Sequence, residues 1–197
     1  QAGFGVHGTV TGNPITGDDL DLYAWGAVAR GARSISFYAY YPMSTGYEAG
    51  GYGLVNLDGS LTDRSRRAGE TARAIAANAD LILASRPEPA RVAIVFNPLV
   101  PLLGGEQAYG DRRAIHRAVA GYHRMFFERN IPVDFPSARE LTVEGLRRYA
   151  VVIVPCPILM TAGMAAPLEQ YVESGGRLFV EARPGWQDER GHASPVL

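Results

Sequence analysis

The second half of the chain alternates short, unbroken apolar runs with stretches of helical period. Arg91–Phe96 (RVAIVF), Val151–Val154 (VVIV) and Arg177–Glu181 (RLFVE) are strand-length, and Pro132–Phe135 adds a shorter fourth run. Between them, Asp111–Arg129 puts Ile115, Ala118, Val119, Tyr122, Met125 and Phe126 on one helical face. Thr142–Arg148 and Thr161–Ser174 read as further helices, the second stopped by Gly175-Gly176. Strands that are apolar without alternation, and separated by helices, are buried on both faces. The pattern predicts an α/β domain: a doubly wound parallel sheet of four strands in the order 2-1-3-4, flavodoxin-like in the loose sense.

The first half has a different texture. Leu20, Leu22, Tyr23, Trp25 and Val28 follow Asp18 and Asp19 and precede Gly31, which predicts a helix over 19–30 with an acidic start. Ser34–Tyr41 (SISFYAYY) reads as a buried aromatic strand. Met43–Asp58 is glycine-rich and aperiodic, a long loop of the kind that is functional when ordered. Thr62 then opens a helix with Ala68, Thr71, Ala72, Ile75, Ala76, Ala79, Ile82 and Leu83 at helical spacing. Arg86-Pro87-Glu88-Pro89 cannot continue it and marks the domain boundary, 1–86 against 87–197. One helix-strand-helix unit leaves the strand edges and an apolar surface uncovered, so residues 1–85 are not expected to close into a domain by themselves.

Composition narrows the function. The formal net charge is −1 over 197 residues, and all nineteen cationic residues are arginine. Without a basic excess, nucleic acid is not the expected partner. No apolar run approaches the ~18–20 residues of a membrane helix. A single cysteine excludes an internal disulfide framework and a cysteine-based zinc site. There is no signal peptide or glycosylation sequon, and the reading is a reducing, cytoplasmic setting.

Candidate chemistry is sparse. Cys156 follows a predicted parallel strand, where such sheets bind ligands. Its flanks, Pro155 and Pro157, deny it the sharp turn of a nucleophile elbow, so a structural thiol is expected. His116 and His123 are seven apart rather than four, and His7 and His192 stand in loops; no metal site is expected. Gly3, Gly5 and Gly8 lack the flanking strand and helix of a dinucleotide loop, so no cofactor is expected. Glu48 is the exception. It stands among glycines with Tyr47 and Tyr52 beside it, a carboxylate and ring faces suited to sugar hydroxyls and sugar C–H faces.

The order of motifs resembles glycoside hydrolase family 42, the bacterial β-galactosidases. In the first half it rests on Gln1-Ala2-Gly3, Asn13-Pro14, Gly17, Ala29-Arg30-Gly31-Ala32, Ile35–Tyr40, Gly46 with Glu48, Gly53-Leu54 and Asp58-Gly59. In the second it rests on Arg91–Phe96, Tyr149–Pro155, Gln170–Gly176 and the run from Glu181 to Gly191. The resemblance implies that 1–86 are the last elements of a TIM-type (β/α)8 barrel and that 87–197 are the incomplete trimerisation domain. That domain is flavodoxin-like and similar to class I glutamine amidotransferases. It also implies retaining hydrolysis of β-galactosides or related glycosides by two carboxylates ~5–5.5 Å apart. The nucleophile is then expected just before Gln1 and the acid/base earlier still, so this chain holds no catalytic residue and is inactive alone. Glu48 matches the family's galactose-binding glutamate, and a homotrimer is implied. Val6-His7-Gly8 and Gly51 stand where family members carry Asn-Trp and a histidine. The alternatives are a non-catalytic α/β oligomerisation or sugar-binding module and, further off, a small flavodoxin-like enzyme using Cys156.

Overall fold

The computed structural model describes residues 15–46, 49, 53–104, 109–111 and 113–194. The chain divides into two compact units, Gln1–Pro87 and Glu88–Leu197.

In the first unit, α1 (Gly17–Ala29), α2 (Asp63–Ala77) and α3 (Ala79–Ala84) carry the regular structure. Thr16 caps α1, and Asp19, three residues on, bonds back to the Thr16 N–H, a reciprocal capping box. Asp19 is thus the inner partner of the cap rather than the cap itself. The two long helices meet where Leu20 and Ala24 face Ala68 and Thr71, all buried. Gly17 donates to Asp63 Oδ2 at 2.8 Å, and a Cβ there would stand 2.6 Å from that oxygen. Any other residue would push the helix starts apart.

Two expectations for this unit fail. The helix expected from Thr62 to Ser85 is broken at Asn78, whose side chain turns back onto the Ala74 carbonyl; asparagine competes for backbone groups in this way. Ser34–Tyr41 is no strand of a sheet. It bends at Tyr38, Tyr40 and Tyr41, and among the described residues its end meets only the Leu54 and Val55 N–H groups, not a strand ladder.

The second unit follows the predicted alternation. Its elements are β1 (Val92–Ile94), a π-helical turn Val100–Gly104, α4 (Ala114–Phe127), β2 (Val133–Asp134), a 3-10 turn Ala138–Glu140, α5 (Val143–Leu146), β3 (Val151–Val154), α6 (Ala162–Glu173) and β4 (Leu178–Val180). All pairings are parallel, and the order is β2-β1-β3-β4. Thr142 and Thr161 cap α5 and α6 by accepting from the third helical N–H.

Because strand side chains alternate, the two central strands, β1 and β3, each feed two cores. Ala93, Val95, Val152 and Val154 pack on Met164, Ala165, Leu168 and Tyr171 of α6 and on Leu146 of α5. Val92, Ile94 and Ile153 point the other way, against Val119, Tyr122 and Phe126 of α4. Met125 falls at the margin of that stripe and is 43% exposed. No described helix is long and apolar enough to cross a membrane.

Candidate functional site

Two places could carry chemistry: the loop that holds Glu48 and the carboxyl end of the parallel sheet.

Glu48 lies outside the described residues, as do Tyr47, Tyr52, Gly51 and all of 1–14, His7 included. The base of its loop is described. Leu54 N–H reaches the Ala39 and Tyr40 carbonyls at 2.9 and 3.0 Å, and Val55 N–H bonds Tyr40 at 3.1 Å. Arg64 bonds the Gly53 carbonyl through Nε (3.2 Å) and Nη2 (2.8 Å). At Gly53 a Cβ would stand 2.5 Å from the Val55 oxygen and 2.7 Å from Pro42 Cδ. Pro42 and Gly53 thus lie against each other on either side of the segment that holds Glu48. It springs from the aromatic segment in which Tyr38, Tyr40 and Tyr41 are 48%, 67% and 52% exposed.

At the sheet, the strand order reverses between β1 and β3, the position where doubly wound sheets bind ligands. Among the described residues, apolar side chains crowd this end of the sheet. Val100, Ile115, Cys156, Ile158 and Leu159 are buried together, with Phe96 and Tyr109 against them. Asn97, just past β1, is buried; its amide donates to the Leu159 carbonyl at 2.7 Å and its oxygen accepts the Leu99 N–H at 3.0 Å. Those bonds stitch the β1 and β3 loops together.

Cys156 is buried with φ +46°, a left-handed conformation that β-carbon residues seldom hold. Its N–H donates to Glu181 Oε2 at 2.8 Å, and the Tyr122 hydroxyl donates to Oε1 at 2.7 Å. Burial first, then the Glu181 charge, pushes the thiol up to about 11. Burial and the same carboxylate push Tyr122 up to about 12. Tyr109 rises to about 12 through burial and the nearby Cys156. A reactive cysteine needs the opposite surroundings, cationic and open. Glu181 thus acts as a clamp across β3, β4 and α4. Sequence reading saw it only as the first residue of a family motif; the usable signal was a carboxylate directly after an apolar strand.

Of the described histidines, His116 and His123 pack against aromatic rings. His116 lies 6.3 Å from the Phe96 ring, and His123 lies 5.6 and 5.7 Å from Phe127 and Phe135. His192 Nδ1 is 3.7 Å from Asp188 Oδ2. Asp188 closes a tight turn by accepting the Arg190 and His192 N–H groups at 2.8 and 2.9 Å, which holds its carboxyl below the usual range. Among the described residues no group of three or more His, Cys, Asp or Glu is placed to hold a metal ion.

Comparison with known proteins adds to this geometry. The family model described as the beta-galactosidase trimerisation domain matches residues 90–195. The chain is 30% identical over 169 residues to the beta-galactosidase BgaH of Haloferax lucentense, covering 86% of this chain and 24% of that protein. Among solved structures it is similar to the cold-adapted beta-galactosidase of Rahnella sp. R3, with TM-score 0.80 and 24% identity over 98% of this chain and 28% of that one. The beta-galactosidase of Halorubrum lacusprofundi gives TM-score 0.74 and 24% identity over 99% and 28%. The chain thus spans about a quarter of the length of these relatives.

Proposed function

Because the chain belongs to the beta-galactosidase trimerisation-domain family, we propose that it works as part of a retaining β-galactosidase-type glycoside hydrolase. The match over 90–195 carries this reading, because it coincides with the parallel sheet of the second unit. Support for the first unit comes from the BgaH alignment, whose 169 residues are more than 88–197 can hold. In this reading residues 1–86 are the C-terminal part of a (β/α)8 barrel and 87–197 a flavodoxin-like trimerisation domain. The order β2-β1-β3-β4 is the flavodoxin order and supports the second assignment.

The chemistry follows from the fold. One carboxylate attacks the anomeric carbon while another protonates the leaving oxygen, and water then releases the glycosyl-enzyme. Both groups are assigned to parts of the protein outside this chain. Glu48, on the segment between Pro42 and Gly53, accepts hydrogen bonds from ring hydroxyls and turns the anomeric carbon toward the nucleophile. The second unit does no chemistry. Its described residues pack apolar side chains at the carboxyl end of the sheet and its thiol is raised, which suits a domain whose task is assembly into a homotrimer.

A β-galactoside with a chromogenic leaving group tests this reading. The full-length protein should cleave it with retention, seen as the β-anomer in the first NMR spectra, and this chain alone should not. Hydrolysis by the isolated chain would place the catalytic pair here, and a full-length protein inert toward every β-galactoside would overturn the assignment.

A further inference from the structure

A closed ring of three identical subunits needs a heterologous contact, one surface of each copy seated on a different surface of the next. The second unit carries two such surfaces at opposite edges of its sheet.

At the β2 edge, the end of α4 and the strand β2 expose an aromatic ridge. Phe127 is 59% exposed, Phe135 45% and Ile131 38%, with His123 stacked between the two phenylalanines. Arg124 and Arg129 border the ridge on the same helix end. Arg124 is paired with Glu128, whereas Arg129 bonds only the Met125 carbonyl and has no carboxylate partner among the described residues. Aromatic side chains with arginine are what interface cores accumulate.

At the β4 edge lies a groove of about 380 Å³ between α6 and β4, floored by Leu168, Leu178 and Val180 and walled by the 46% exposed Val172. Its rim is acidic. Glu169 and Glu173 stand four apart on α6, like charges on one helix face, and neither has an ion-pair partner among the described residues. Such a pair is unfavourable until a cation arrives.

We propose that the aromatic ridge of one copy seats in the acidic-rimmed groove of the next, with Arg129 and Arg124 meeting Glu169 and Glu173, and that three such contacts close the trimer. The inference rests on the self-association reading above and adds which surfaces meet. Ridge and groove match in apolar character and in charge sign, and they face away from each other across the sheet. An isologous dimer would have used one patch twice.

The full-length protein provides the test, by light scattering at micromolar concentration. The paired variant Phe127→Glu with Phe135→Glu should fall from three chains to one, as should Glu169→Arg with Val172→Arg. Both pairs are exposed, so circular dichroism should match the wild type. Phe127→Ser alone, the milder change, should weaken association by about 30-fold or more. Mixing the two paired variants leaves one good ridge and one good groove, so the mixture should form a two-chain species. A monomeric wild type would overturn the trimer reading and this inference with it. A trimeric wild type whose ridge variants stay trimeric, or whose groove variants alone dissociate, would overturn this inference and leave the trimer standing.

Discussion

The two units use helices of similar length and bury them to different extents. In residues 88–197, α4 and α6 lie on opposite faces of one sheet, and their apolar stripes disappear into three buried clusters. In residues 1–87, α1 and α2 touch through Leu20, Ala24, Ala68 and Thr71, and beside that contact a groove of about 360 Å³ stays open. Ile35, Phe37, Ile75, Ile82 and Leu83 line it. The difference lies in what the helices pack on. A four-strand sheet offers two continuous apolar faces, whereas a lone extended segment offers no ladder and no flat surface. Open apolar grooves of this kind mark surfaces built for a partner.

The comparison can be broken at Ile94, which is fully buried under α4. Ile94→Ala should cost about 2–5 kcal/mol in urea unfolding, through lost transfer energy and the cavity left behind. A loss of a few tenths would show that the second unit is not the rigid one. The Glu48 loop comes next. Glu48→Gln in the full-length enzyme should lower kcat/KM on its best glycoside by the equivalent of about 1.5–3 kcal/mol while leaving unfolding unchanged. Equal kinetics would reduce Glu48 to a solvated loop residue.

Gly53→Ala probes the contact of Gly53 with Pro42. The added methyl meets backbone as well as Pro42, so a loss of about 1–3 kcal/mol is expected, with activity falling as the loop shifts. Ile75, on the open groove, sharpens the contrast with Ile94. Ile75→Ala should cost about 1 kcal/mol or less in this chain, because its side chain is only partly removed from water. In the full-length protein the same substitution should cost more. Equal costs in both settings would mean that nothing covers the groove.

The smallest effect lies at high pH. Cys156, Tyr122 and Tyr109 are raised from their ordinary values of 9 and 10 to about 11, 12 and 12. Each is held in its neutral form by the fold, so the folded state binds these protons more tightly than the unfolded one. Their contribution is fully present below about pH 9 and is lost as pH rises toward 12. Unfolding midpoints measured between pH 8 and 11 should decline, and Tyr122→Phe should flatten the decline. A flat wild-type profile would remove the Glu181 clamp from the account.

How much was legible beforehand differed between the units. Val92–Ile94, Val151–Val154 and Leu178–Val180 are apolar at every position, and that alone implied parallel pairing and burial on both faces; the edge strand Leu178–Val180 meets only the first, since Phe179 is 52% exposed. Thr62, Thr142 and Thr161 announced their helices because a hydroxyl in front of an apolar period has one common use. Ser34–Tyr41 misled for the same physical reason that the others succeeded. Its composition suits a strand, but a strand exists only when another segment answers its N–H and C=O groups. Of the candidate residues, Cys156 is buried with a raised thiol, yet the sharp turn its flanking prolines were expected to deny is present, at φ +46°. Asn97 and Glu181 could not be found in advance, since each takes its role from a partner tens of residues away.

Local spacing by itself determined the parallel sheet and the helices that open at Thr62, Thr142 and Thr161, because these depend on period and on caps within a few residues. The tertiary structure alone decided that Thr16 rather than Asp19 caps the first helix and that Glu181 clamps Cys156 to Tyr122. It alone decided that Gly53 packs on Pro42 and that an apolar groove lies beside the contact of α1 and α2. Apart from the cap, each of these is a meeting of groups distant in sequence, and a meeting has no signature in either partner's neighbourhood.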